Sequence, residues 1–246
     1  DTFDIHGGGR DLIFPHHENE IAQSEGASGK PFVNYWLHNG FVTINGEKMS
    51  KSLGNSFFMK DALNVYDGEL LRYYLLSTHY RANFNFSEED LLTAKKRLDK
   101  IYRLKKRLIG TKKSAVNKTF KASLLASLQD DLNISKAMAL IDEMIAAANE
   151  ALDVNPKDKA LKFETHANLG FLEELLGIGT RDPYAYFQQG VSDDEKILIA
   201  SLIDERNLAK QTKDFATADA LRDRLSAMNI QLMDTPTGTQ WEKSDA

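Results

Sequence analysis

Between Ser87 and Gly177 the chain is punctuated as a series of long helices, which leaves little freedom for what its centre can become. Ser87-Glu88-Glu89-Asp90 places a hydroxyl three residues before a carboxylate, a helix-start signature, and the apolar period then runs to about residue 108, where Gly110 stops it. Two further apolar-periodic segments, 120–128 and 135–152, and another over 157–176 ending at Gly177 predict a helical bundle. Gly177, Gly179, Pro183 and Gly190 mark 177–192 as a linker. Beyond it the pattern predicts helices near 193–211 and 214–227, a short strand at 230–233 and a turn at Pro236-Thr237-Gly238, with no internal repeat.

The first 47 residues read differently. Short apolar runs alternate with turn signals: 3–5 before three glycines, 12–14 before Pro15, and 41–44 before Asn45-Gly46. Asn-Gly between such runs favours a tight turn, so Lys48 to Ser52 are expected in a loop just after a strand. Pro15 suits the first turn of a helix continuing over 16–25. A further helix is expected over 60–79, with Ala62, Leu63, Leu70, Leu71, Tyr74 and Leu75 as its buried face.

The 246 residues, 42% of them hydrophobic, suit one to three folded domains. The absence of cysteine excludes disulfides and any thiolate metal site made by this chain alone, and it fits a reducing cytoplasm. No apolar run approaches the roughly 20 residues of a membrane-spanning helix, and no signal peptide opens the chain. A soluble, cytoplasmic protein with no membrane partner is therefore expected. Asp1 opens in mid-motif, so the expectation is a fragment whose missing N-terminal part packs against this segment.

Several groups are candidates for chemistry. In Lys48-Met49-Ser50-Lys51-Ser52, continuing Leu53-Gly54-Asn55, two lysines flank a small hydroxyl residue. Lys48, Ser50 and Lys51 could neutralise the charge that develops when a carboxylate attacks an α-phosphate and pyrophosphate leaves. The string lacks the Gly-rich cradle of a Walker-type ATPase. In Pro15-His16-His17-Glu18-Asn19-Glu20, His16 and Glu20 stand four apart on one helical face, an imidazole and a carboxylate that suit zinc. His17 and Glu20, three apart, would also be neighbours, so spacing leaves the histidine open. The same pair also occurs as a plain hydrogen bond on a solvated face, and further metal ligands would have to come from elsewhere. Gly7-Gly8-Gly9 either brings backbone close to a bound group or makes a turn of positive φ; flanking His6, Arg10 and Asp11 offer a donor, a cation and an acceptor.

The net charge of −5 gives no overall preference for nucleic acid. Locally, Lys95, Lys96, Arg97, Lys100, Arg103, Lys105, Lys106, Arg107, Lys112, Lys113 and Lys118 face the single acid Asp99. On a helix this run would cover the side opposite Leu91, Leu98, Ile101 and Leu108, as a stripe for a phosphate backbone or simply as a solvated face.

Taken in order, these strings resemble cysteinyl-tRNA synthetase, a class I aminoacyl-tRNA synthetase. The resemblance rests on residues 3–12, 14–24 and 35–38, on Lys48 to Asn55, and on Leu70-Leu71-Arg72-Tyr73-Tyr74-Leu75-Leu76. It continues through Asp130-Asp131-Leu132-Asn133, residues 213–219 and the ending Met233-Asp234-Thr235-Pro236-Thr237-Gly238-Thr239-Gln240-Trp241, so it covers essentially the whole chain. KMSKS is shared by several class I synthetases; the HGGG-RD and HHENE strings are specific to the cysteine enzyme and its close relatives.

The resemblance implies an α/β plus all-α architecture. Residues 1–86 would be the second half of a Rossmann-type catalytic domain carrying the KMSKS loop, 87–178 a helical-bundle tRNA-binding domain and 190–246 a small C-terminal anticodon-recognition domain. It implies ATP-dependent activation of L-cysteine and its transfer to the 3′ end of tRNA(Cys). His16 and Glu20 would be two ligands of one zinc ion per subunit that takes the cysteine thiolate and so rejects serine. Lys51 would contact ATP with Lys48 and Ser50 assisting; His6, Gly8 and Asp11 would lie by the amino acid and adenylate; Lys95, Lys96, Arg103 and Lys106 would hold tRNA.

The HIGH motif and two cysteine ligands of that family would lie in an N-terminal half absent here. This chain alone is therefore expected to be catalytically dead and to hold zinc weakly, and the full-length enzyme to be monomeric. The half-sheet should leave an exposed apolar face or pair between copies. Two other readings are a standalone tRNA-binding module and the related ligase joining cysteine to an amino sugar in mycothiol synthesis; the intact KMSKS string and full RNA-binding tail count against the latter.

Overall fold

The structure, a computed structural model, describes residues 2–44, 47–48, 59–235 and 238–244, the side chains of 47 and 48 excepted. The chain is mostly helical with small sheets. Two compact units are present: Asp1–Leu104 with Leu108–Gly179, and Thr180–Ala246 with Lys105–Arg107. Among the described residues no helix is long and apolar enough to cross a membrane.

In the first unit, strand β1 (Phe3–Gly9) pairs in parallel with β2 (Val33–Asn39), in a register running from Phe3↔Val33 to Gly9↔Asn39. The glycine run is thus strand, not a turn of positive φ, and Gly7, Gly8 and Gly9 are absent from the left-handed region. Alternation puts Phe3, Ile5 and Tyr35 on one face, where they are 55, 61 and 69% exposed. The exposed apolar face expected of a half-sheet is present.

After Phe14, which is extended (φ −134°, ψ 135°), the chain winds through Ile13–His17 into helix α1 (Glu18–Ser28), closed by Gly29 at φ 65°. Strand β3 (Val42–Ile44) pairs antiparallel with β4 (Glu47–Lys48) and in parallel with β5 (Phe84–Phe86). Lys48 therefore ends a strand rather than lying in the loop after it, while Asn45-Gly46 and residues 49–58, with Ser50 and Lys51, lie outside the described residues. Strand β5 was not expected: three residues are too few to show a period.

The single helix expected over 60–79 is two, α2 (Met59–Val65) and α3 (Gly68–Leu76). The Asp67 carboxylate accepts from the backbone N–H groups of Glu69 and Leu70 and so starts α3 afresh. The break also rotates the expected face: Ala62, Leu71 and Tyr74 are buried, whereas Leu63 and Leu75 are exposed.

Helices α4 (Glu88–Arg107), α5 (Lys118–Gln129), α6 (Ile134–Val154) and α7 (Lys159–Leu176) follow the predicted segments. Ser87 Oγ accepts from Asp90 N at 3.1 Å, and Gly110 and Gly177 take φ of 76° and 64°. Leu98, Ile101, Tyr102 and Leu104 of α4 join Leu124, Ile141, Leu152, Leu169 and Leu172 among the buried side chains. Glu69 of α3 is buried as well, accepting from Tyr102 Oη and Gly179 N.

In the second unit the expected linker contains a short helix, α8 (Pro183–Phe187), with Asp182 as N-cap and Pro183 in its first turn. Helices α9 (Asp193–Gln211) and α10 (Phe215–Ala227) pack on the antiparallel pair β6 (Ile230–Thr235) and β7 (Gly238–Lys243). Val191, Ile199, Leu202, Ile203, Leu225 and Ile230 form its core.

Candidate functional site

Strand alternation turns His6 and Gly8 to the side of β1 opposite Phe3 and Ile5, and the register sets Trp36 of β2 beside His6 and His38 beside Gly8. Against this face the turn into α1 brings His16, His17 and Glu20. His6 Nε2 lies 3.1 Å from Glu20 Oε2, and His16 Nε2 lies 3.5 Å from Glu20 Oε1. His17, only 3% exposed, is hydrogen-bonded through Nδ1 to His38 Nε2 at 2.9 Å. The rings of His6, His17 and Trp36 meet at centroid separations of 4.9–5.1 Å, and Trp36 stacks on His38.

Glycine is required at position 8 for close approach. A Cβ on Gly8 would stand 2.8 Å from His17 Cε1, and one on Gly9 would stand 2.4 Å from Asp11 Oδ1. The strand thus lies against the imidazole, and the Asp11 carboxylate folds back over the strand's end.

Burial, and after it the neighbouring His38, hold the His17 imidazole below its ordinary pKa, so it is neutral near pH 7. One ligand atom each from His6, His17 and Glu20 lie within 4.8 Å of one another. Glu20 Oε2 is buried without a hydrogen-bond partner: His6 Nε2 is near enough for attraction but is not aligned as a donor. Imidazoles beside an orphaned carboxylate oxygen fit a divalent transition metal in chemistry and in spacing.

His6, Gly8, His16 and Glu20 thus come together as a group, and Asp11 stands at its edge. Of the two histidines that helical spacing left open, His17 joins His6 and Glu20 in the group that could hold a metal, whereas His16 reaches only the other Glu20 oxygen. His38 and Trp36 were visible only as part of a motif, because their place depends on strand register. Ser50, Lys51 and the Lys48 side chain lie outside the described residues.

The basic residues of α4 do not form one free stripe. Lys96, Lys100 and Arg103 are exposed. Lys95 pairs with Asp99 at 3.3 Å and Arg97 pairs with Asp142. Lys106 departs from the expected stripe: its ammonium pairs with Glu242, reaches Met233 Sδ at 3.2 Å and lies over the rings of Tyr184 and Phe187.

Residues 1–96 match the class I (C) tRNA synthetase catalytic domain, and residues 125–180 match the DALR domain. The cysteine–tRNA ligase of Sulfurovum sp. is 63% identical over 243 residues, which cover 99% of this chain and 52% of that protein. Those of Aliarcobacter butzleri and Helicobacter pylori are 63 and 61% identical over 240 residues, covering 98% of this chain and 51% of each. Over nearly its whole length the chain is similar to cysteine–tRNA ligases. It spans about half the length of the curated relatives it matches. A LeuRS from Agrobacterium radiobacter, solved as a ternary complex with tRNA and LeuAMS, shares the fold, with a TM-score of 0.59 at 17% identity over 74% of this chain and 26% of that one. The histidine cluster falls wholly within the part matching the ligase family's catalytic domain.

Proposed function

We propose that this chain supplies half of a site that activates L-cysteine with ATP and passes it to tRNA(Cys), in the cytoplasm and as part of a monomeric enzyme. The observation that carries the reading is the convergence of His6, His17 and Glu20, whose buried Oε2 has no hydrogen-bond partner, with His16 3.5 Å from the other Glu20 oxygen. Zinc held by His16 and Glu20, with His6 and His17 beside them, would supply a soft Lewis acid that takes a thiolate and leaves serine unbound.

The protein groups divide the remaining work. His38 and Trp36 fix the ring of His17, as partners behind a metal-ligating histidine do. Gly8 lets β1 approach, and Asp11 would hold an amino group or ribose. Lys48, Ser50 and Lys51 would meet the triphosphate and stabilise charge on the departing pyrophosphate. The exposed Lys96 and Arg103, with Lys95, suit the RNA backbone. The architecture proposed is the second half of a Rossmann-type domain over 1–86, a tRNA-binding bundle over 87–178 and an anticodon-reading module over 190–246.

Titration of the purified chain with Co2+, followed by L-cysteine or L-serine, tests the reading. Weak Co2+ absorption is expected of this half-site, with a thiolate charge-transfer band on adding cysteine but not serine. Absence of both, or equal response to serine, overturns the metal reading. Failure of the chain to bind tRNA(Cys) in a salt-dependent manner would overturn the RNA reading.

A further inference from the structure

Asp131 and Leu132, in the turn between α5 and α6, both take left-handed backbone (φ 52° and 54°), although neither is glycine. Consecutive non-glycine residues in this region are unfavourable unless their surroundings impose it. Here three successive residues do so. A ring nitrogen of His79 bonds the Asp131 carbonyl at 2.8 Å, Tyr80 Oη donates to Asp131 Oδ1 at 2.6 Å, and Arg81, whose Nε donates to Tyr80 Oη, donates from Nη2 to Oδ1 at 3.2 Å and forms an ion pair with Oδ2 at an Nε–Oδ2 distance of 2.8 Å. The carbonyl of that same Arg81 accepts from Arg10 Nη2 at 2.7 Å. Arg10 directly follows β1, two residues after the Gly8 that lies against the His17 ring.

The contacts therefore run without a gap from a turn in the DALR part of the chain to the histidine cluster in the catalytic part. We propose that Asp131 and Arg81 are positioning residues that, through Arg10, fix the exit of β1 and so the placing of Gly8 against His17 and of Asp11 beside it. The inference rests on the metal reading above for its functional meaning. Neither residue touches the metal-ligating groups, so their effect must pass through backbone placement, and it must be shared: once either link is broken, breaking the other adds little. Both Asp131 and Arg81 are about half exposed, so the clamp is also weakened by salt.

A double-mutant cycle on the full chain tests this, using Asp131→Asn, which tolerates a left-handed backbone, and Arg10→Gln. Two measurements are made: Co2+ affinity by absorption, and amide hydrogen exchange at Arg10 and Asp11. Each single variant is expected to weaken Co2+ binding roughly threefold to tenfold and to speed exchange at Arg10 and Asp11, with α9 unaffected. The double variant is expected to go no further than the stronger single one. Additive losses, or unchanged affinity and exchange in Asp131→Asn, overturn the proposal. If the unaltered chain binds no Co2+, the metal reading fails, and exchange at Arg10 and Asp11 still decides for or against the clamp.

Discussion

Gly8 of β1 lies so close to the His17 ring that a Cβ would come within 2.8 Å of Cε1, and His17 cannot retreat because it is buried and bonded to His38. Gly7, its neighbour on the same strand, meets nothing nearer than the Leu37 carbonyl, at 3.4 Å. The two glycines share extended backbone, so alanine differs between them only by this collision. Gly8→Ala should weaken Co2+ binding about tenfold or more, and Gly7→Ala far less, with circular dichroism unchanged in both. Equal affinities would show that the strand does not position His17.

A second test concerns the interior of the first unit. Tyr102 is fully buried and its hydroxyl donates to the buried Glu69 carboxylate, whose other oxygen accepts from Gly179 N. Removing the hydroxyl deprives a buried acceptor of a donor at nearly constant volume. Tyr102→Phe should cost about 1–3 kcal/mol in urea unfolding, whereas loss of the exposed Tyr80 hydroxyl should cost less. A variant as stable as the parent would mean that Glu69 is satisfied without Tyr102.

Much of the helical half was legible in the sequence because its ends are written in single residues. Asn117, Asn133, Asp158, Ser192 and Asp214 each accept a backbone N–H at a helix start, and Gly177 closes α7. Asp67-Gly68 carried the same kind of signal, but the apolar period running through it concealed the break. What stayed hidden depends on pairing between distant segments. The partnership of β3 with β5, and the register that puts Trp36 beside His6, leave no local trace. The histidine cluster was half legible for that reason: His16, His17 and Glu20 follow from helical spacing, whereas His38 joins only through the β1–β2 register. Lys106 was misplaced because charge spacing does not reveal that Glu242 lies opposite it.

The second unit should carry an acid-sensitive contact. Asp234 accepts from both terminal nitrogens of Arg206 at 3.1 Å, from Lys210 at 2.8 Å and from Thr239 at 2.9 Å. Hydrogen bonds from Arg206, then Lys210, hold its carboxyl well below the usual range. A carboxylate depressed in the folded state contributes stability above its unfolded pKa of about 3.9, and that contribution is lost as pH falls below this value toward the folded pKa. The side chain is 49% exposed, so after solvent screening the contribution is under about 1 kcal/mol. Urea unfolding at pH 7 and at about pH 3 should show a smaller loss for Asp234→Asn than for the parent. Equal losses would assign the acid sensitivity to other groups.

Two more glycines separate steric need from tolerance. A Cβ on Gly40 would stand 2.0 Å from the Ala82 carbonyl oxygen, and Gly40 N also donates to the Tyr80 carbonyl at 2.8 Å. That obstacle is backbone on both sides, so it cannot rotate away as a side-chain end would. Gly26, within α1, has nothing within 4 Å of the same position and adopts no left-handed backbone. Gly26→Ala should therefore stabilise the chain by about 0.5–1 kcal/mol through helix propensity, and Gly40→Ala should destabilise it by at least about 2 kcal/mol. Thermal melts of the two variants side by side check both signs. A neutral Gly40→Ala would mean that the approach of Gly40 to Ala82 is not needed to join β2 to the segment before β5.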